Sequence, residues 1–176
     1  MPGPAPERSA RLHLAPGVCR ALLVLHLVAG VGWMGVDIAL LVLLHHARTT
    51  SDPVAALGGY ASVGLIVPAA VPPLGLGVLV TGLGLGWGTP WGLTRHWWVL
   101  VKLVLALVMT ALVFFLLLPL VGRLPPLTSA EAQPARDGLG RLPVLLMFPP
   151  AVSFLLLALA AVLSVFRPWG RTPWAR

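Results

Sequence analysis

The sequence predicts an all-α integral membrane protein, a four-helix bundle of four transmembrane helices with proline breaks in the second and fourth. Composition points there first: 58% of the 176 residues are hydrophobic, 10% are charged and the mean hydropathy is +0.94, where a soluble domain carries about 25% charged residues. Second, four apolar runs are long enough to cross the roughly 30 Å of bilayer hydrocarbon, which takes about 20 helical residues. Third, none of the runs alternates apolar with polar residues, and a helix satisfies its own backbone hydrogen bonds in lipid where an open strand does not. Tails over residues 1–17 and 168–176 are expected to flank a membrane domain over 18–167.

The first run extends from Val18 to Leu44. It is too long for a signal-peptide core and shows no clear small-residue cleavage site, so it is expected to stay as an anchor. Within it His26, Gly30, Trp33 and Asp37 stand at i, i+4, i+7 and i+11, which at about 100° per residue places them on one stripe of the helix. A charged side chain facing lipid costs on the order of 2.5–3.5 kcal/mol at a helix centre. The stripe is therefore expected to face the bundle interior, with the hydroxyl of Thr110 in the third span at the right depth to satisfy Asp37.

The second run, Val54 to Trp87, would be about 51 Å of helix at about 1.5 Å per residue, too long for one simple crossing. Pro68, Pro72 and Pro73 each lack an amide donor and clash with the preceding turn, so they are expected to interrupt it. A surface helix over AALGGYASVGLIV would then precede a true span over LGLGVLVTGLGLGWG. Gly82 with Gly86, and Gly84 with Gly88, have the small-xxx-small spacing that admits close helix approach in lipid. Docking of a membrane-protein partner or a second copy is expected there.

The third run, Trp97 to Val121, carries Lys102 seven residues past Arg95, and the fourth, Leu142 to Phe166, is expected to start or kink at Pro149 and Pro150. Trp87, Trp91, Trp97 and Trp98, with Trp169 and Trp174, read as an aromatic belt, which leaves Trp33 as the deep exception. Arg8, Arg11, Arg20, Arg95, Arg167, Arg171 and Arg176 fall on one side of the bilayer and Arg48, Arg123, Arg136 and Arg141 on the other. The positive-inside rule then puts both termini in the cytoplasm. With eleven arginines to one lysine amid much Ala, Gly and Pro, the composition suggests a GC-rich bacterial genome, and so a bacterial plasma membrane.

The formal net charge of +7 does not imply nucleic acid as a partner, since all basic residues except Lys102 lie at the ends or between the runs. The lipid bilayer is the partner it implies. Cys19 is the single cysteine and is expected to be a structural thiol. His13, His45, His46 and His96 lie outside or at the rims of the spans, so His26 is the one fully intramembrane imidazole. No metal site is expected: adjacent His45 and His46 diverge by about 100° on a helix and make a poor chelate.

The segments LHLVAGVGWMG, LVTGLGLGWGTPWGLTRHWWVLVKLVL and LSVFRPWGRTPW resemble a family of uncharacterised four-span integral membrane proteins common in actinobacteria, over about residues 20 to 170. More distantly, an N-terminal Leu-His with a following Trp-Gly, and a lysine entering the third span, are similar to CopD-like membrane domains and to HemJ-type protoporphyrinogen oxidases. The second resemblance implies that His26 and Lys102 are cofactor-binding, with haem as the cofactor. The chain departs from the closer family where relatives carry further histidines, having Leu116 and Pro149 there, so a bis-histidine haem wholly within this protein is not expected. His26 is six residues past Arg20 and Lys102 seven past Arg95, or about 9 and 10 Å of helical rise. The two are expected to lie at equal depth and to meet around a pocket near the cytoplasmic leaflet. The leading functional expectation is a non-enzymatic or accessory membrane protein whose polar stripe holds a haem or quinone-like redox ligand. The alternatives are a HemJ-like porphyrinogen-oxidising enzyme and a structural partner subunit of a membrane complex.

Overall fold

The computed structural model describes residues 14–89, 92–124 and 137–173. Arg8, Arg11, His13, Trp91, Arg136, Trp174 and Arg176, on which part of the topology count and of the aromatic belt rests, lie outside the described residues. Four helices are long and apolar enough to cross a membrane: α1 (Pro16–Thr49), α2 (Pro53–Gly88), α3 (Trp97–Val121) and α4 (Leu142–Phe166). No strand is present among the described residues. The helices form an up-down-up-down ring in which α1 packs on α2 and α4, and α3 packs on α2 and α4. Helices α1 and α3 therefore stand diagonally across the bundle.

Each boundary has a local cause. Pro16 and Pro53 occupy first-turn positions, where a missing amide costs nothing, and the Asp52 carboxylate caps α2 by accepting from the Val54 amide at 2.9 Å. Helix α4 ends on Arg167, which adopts a left-handed φ of 45°. After it the chain folds back across the start of α3: the Thr172 amide donates to the Arg95 carbonyl at 2.9 Å, and its hydroxyl donates to the Thr94 carbonyl at 2.6 Å. The Cys19 thiol lies near the carbonyl of Gly88. These contacts gather the start of α1, the end of α2, the start of α3 and the end of α4 at one end of the bundle.

The expected proline breaks are not found. Helix α2 continues through Pro68, Pro72 and Pro73, and α4 through Pro149 and Pro150. Each proline leaves one carbonyl four residues earlier without its usual donor. Abandoning the helix would leave many more backbone groups unpaired, at several kcal/mol each in hydrocarbon. The stripe Ala56, Tyr60, Val63, Val67, Val71, Gly75 and Val78 stays buried along the whole helix, across the prolines. It packs on Trp33, Leu40, Leu44 and Ala47 of α1 within one core. The segment expected to lie on the surface is thus the upper half of a single helix. At 34 and 36 residues, α1 and α2 run about 51 and 54 Å and extend beyond the hydrocarbon at their ends.

The irregularity that does appear is in α3, where Val113–Leu117 forms a π-helical turn and the Leu118 amide bonds the Val113 carbonyl. Pro119 follows two residues later and cannot donate to Phe115. Widening the turn moves carbonyls away from its ring. Outward faces are apolar throughout: Val28, Val31, Leu65, Val80, Phe115 and Leu155 are all well exposed, an area no soluble monomer presents to water. Trp87 and Trp169 lie exposed at the ends as an aromatic belt requires, whereas Trp98 is buried at the base of α3.

Helices α1 and α2 touch most closely at Gly59, where an added Cβ would stand 2.8 Å from the Ala47 Cβ. Neighbouring Gly58 has nothing within 4 Å. Gly59→Ala should therefore lower bundle stability by about 1–3 kcal/mol through overpacking, while Gly58→Ala leaves it unchanged or raises it. Reversible unfolding of the two variants in mixed micelles, followed by circular dichroism, checks the difference.

Candidate functional site

The polar stripe of α1 turns toward protein as its spacing requires, most completely in its upper part. Trp33 and Asp37 are each 2% exposed, while Gly30 and His26 are half-buried. The Asp37 carboxyl is met by Ser153 of α4, whose hydroxyl donates to Oδ2 at 2.7 Å. Thr110, expected in that role, does not reach it. Its Oγ1 lies beside Gly75 and is buried without a hydrogen-bond partner, at the level of the Trp33 ring, which itself closes to 3.1 Å from where a Cβ on Gly75 would stand.

His26 is hydrogen-bonded across to α2, with Nδ1 2.9 Å from the Thr81 hydroxyl. That hydroxyl donates its own proton back to the Gly77 carbonyl at 2.5 Å, so it has only lone pairs to offer the ring. His26 is thereby fixed with its proton on Nδ1 and its lone pair on Nε2. Gly82 makes room for the ring, since a Cβ there would meet Cε1 at 3.2 Å. Lys102 is held in the same manner by α4: Nζ donates to the Ser164 hydroxyl at 2.9 Å, and Ser164 donates back to the Ala160 carbonyl. The ammonium also lies 4.5 Å from the centroid of the Trp98 ring, with the Arg167 guanidinium 5.9 Å from the same ring.

The expected pairing of His26 with Lys102 divides into two parts. Equal depth is supported: Ser153 and Ser164 are eleven residues apart on α4, as Asp37 and His26 are on antiparallel α1, and Ser153 meets Asp37, so Ser164 and its partner Lys102 lie level with His26. Contact is not formed, because α1 and α3 are diagonal rather than adjacent and each base bonds a hydroxyl on its neighbour instead. The two share no hydrogen bond. Gly82, Gly84, Gly86 and Gly88 receive His26, Leu22, Leu93 and Leu14 respectively, so this glycine face is used for packing inside the chain.

A cavity of about 340 Å³ lies in the half of the bundle away from the termini. Trp33, Asp37 and Val71 form its inner wall, the π-helical turn of α3 one side, and Pro149, Pro150 and Ser153 of α4 the other. Its described lining is apolar apart from the Asp37 carboxyl, the Ser153 hydroxyl and the Trp33 indole, and holds no lysine, arginine or histidine. One carboxylate oxygen of Asp37 accepts from Ser153 and no described residue donates to the other. An apolar cleft of a few hundred Å³ with a small number of convergent polar groups is the usual form of a small-molecule site. A second cavity, of about 300 Å³, lies at the far rim beside Arg123 and Leu139. Neither is lined by His26 or Lys102, and no group of three or more metal-ligating side chains exists among the described residues. These donors make a poor haem site: the Asp37 cavity offers one thioether, Met109, and no imidazole or thiolate, while the His26 ring lies outside it, packed against α2.

Comparison with family models, with curated proteins and with solved structures returns no match to this chain. The site therefore stands on its geometry. Sequence reasoning missed Thr81, Ser153 and Ser164. The eleven-residue interval shared by the two polar pairs of α1 and α4 is a signal for Ser153 and Ser164; Thr81 on α2 has no such signal.

Asp37 and Thr110 give opposite expectations for removing a hydroxyl. Ser153→Ala leaves the carboxyl without its donor and should destabilise the bundle by about 0.6 kcal/mol. Thr110→Val replaces an unpartnered hydroxyl with a methyl group and should be neutral or stabilising. Unfolding free energies of the two variants in one bilayer-mimetic system check the signs.

Proposed function

We propose that this multi-pass membrane protein is a non-enzymatic binding protein for a hydrophobic ligand, held in the Asp37 cavity of its helix bundle. The observation that carries the reading is Asp37 itself, a buried carboxyl on the wall of an apolar cavity with one oxygen left for a ligand. Ionisable groups within a membrane span are costly to maintain, and where they face a bundle interior they mark ligand or ion sites. We further propose that the protein resides in a bacterial plasma membrane with both termini in the cytoplasm. In support, Arg20, Arg95, Arg167 and Arg171 lie at the end bearing the termini, against Arg48, Arg123 and Arg141 at the other. With one carboxyl, one hydroxyl and the Met109 thioether on the wall and no imidazole, the cavity suits a hydrophobic molecule bearing a hydrogen-bond donor better than a tetrapyrrole. A porphyrinogen-oxidising activity would need His26 and Lys102 around one substrate, and each is engaged with a different helix.

Native mass spectrometry of protein extracted without delipidation tests this. A hydrophobic adduct of one per chain, distinct from bulk phospholipid, is expected for the unmodified protein, together with a featureless visible spectrum. Leu116→Trp, which fills the cavity from its rim, should remove the adduct. An adduct that survives this substitution, or a Soret band in the visible spectrum, would overturn the assignment.

A further inference from the structure

We infer that the Asp37 cavity is filled sideways from the bilayer, through the cleft between α3 and α4 in the leaflet away from the termini, and that its cargo is a lipophilic amine. This rests on the ligand-binding reading above and assigns both the route and the chemical class.

The route follows from how exposure is distributed around the cavity. Trp33, Asp37, Val71, Val113 and Leu117 on its inner wall are all buried. On the opposite side Leu112, Leu116, Leu145, Phe148 and Val152 line the same cavity, yet are 46%, 50%, 49%, 61% and 46% exposed. These rim residues sit on facing sides of α3 and α4 and their exposed surface meets acyl chains. The mouth therefore opens into hydrocarbon, and a ligand using it is dissolved in the membrane before it binds.

The class follows from charge. No cationic side chain lines the cavity with Asp37, so nothing in the described lining supplies the countercharge that would let this buried carboxyl ionise. Ser153 donates to one oxygen only. An ammonium group supplies both the missing charge and the missing donor, while its hydrocarbon tail matches the Leu, Val, Phe and Pro lining. Depth permits this: Asp37 is twelve residues before the end of α1, about 18 Å of helix, of which about 10 Å projects beyond a 30 Å core if the helix is centred. An amphiphile's head need descend only about 8 Å from the interface to reach it.

The test uses the full chain in lipid nanodiscs with two probes of equal length, tritiated dodecylamine and tritiated dodecanol, with affinities expressed per mole fraction in the lipid. Dodecylamine should bind at least about tenfold more tightly than dodecanol, and Asp37→Asn should abolish that preference. Phe148→Ala, which opens the exposed rim, should raise the association rate while the preference for dodecylamine over dodecanol persists. Equal binding of the amine and the alcohol to the unmodified protein would overturn the assigned class. Rates indifferent to Phe148→Ala would overturn the lateral route. Failure of both probes to bind, with an adduct still present by mass spectrometry, would reject this cargo while leaving the binding function standing. Failure of both with no adduct would reject both.

Discussion

A backbone amide in hydrocarbon can bond only to another group of its own protein, and this constraint governs the chain more strongly than any side chain does. Pro68, Pro72 and Pro73 together remove three donors from α2, yet the helix continues because every alternative leaves more groups unpaired. Once it continues, its small and β-branched stripe from Ala56 to Val78 is available as one uninterrupted surface. Helix α1 answers with Trp33, Leu40, Leu44 and Ala47. The long α1–α2 pair is thus a consequence of backbone satisfaction, and it turns the polar stripe of α1 inward, His26 and Trp33 against α2 and Asp37 toward Ser153 of α4.

Polar side chains in the spans follow a second rule. His26, Asp37 and Lys102 lie within the apolar helices and each is met by a hydroxyl on an adjacent helix: Thr81 for His26, Ser153 for Asp37 and Ser164 for Lys102. For the two bases the hydroxyl spends its proton on a carbonyl of its own helix and so accepts. For the acid it donates. A serine or threonine suits both roles because its proton can rotate to either side. Each such bond adds only about 0.6 kcal/mol on average in a membrane, so their effect lies less in stability than in fixing helix register and, at His26, the tautomer.

The four spans, their helical class and the inward turn of Asp37 were legible because length, hydropathy and the 3.6-residue period are properties of one segment at a time. The continuity of α2 was not, since proline's local penalty is visible in the sequence and the tertiary stripe that outweighs it is not. Equal depth of His26 and Lys102 could be read from their flanking arginines, but whether two parallel helices are adjacent or diagonal depends on the order around the ring. The exchange of Thr110 for Ser153 adds a difference of depth, since Thr110 lies at the level of the Trp33 ring, below Asp37.

The position of the cavity then follows from where regular structure fails. Pro119 widens α3 into a π-helical turn, and Pro149 with Pro150 deprive the carbonyls of Leu145 and Leu146 of donors at a neighbouring level of α4. Two helices that are each irregular at one depth cannot interdigitate closely there. The space between them is left beside the one carboxyl in the spans. Trp33, seated against Gly75, closes the cavity toward the termini and separates it from the His26–Thr81 pair. The stripe that reads as a single polar feature in α1 is therefore two: a lower part whose hydrogen bonds are completed within the chain, and an upper part whose carboxyl faces a cavity open to lipid.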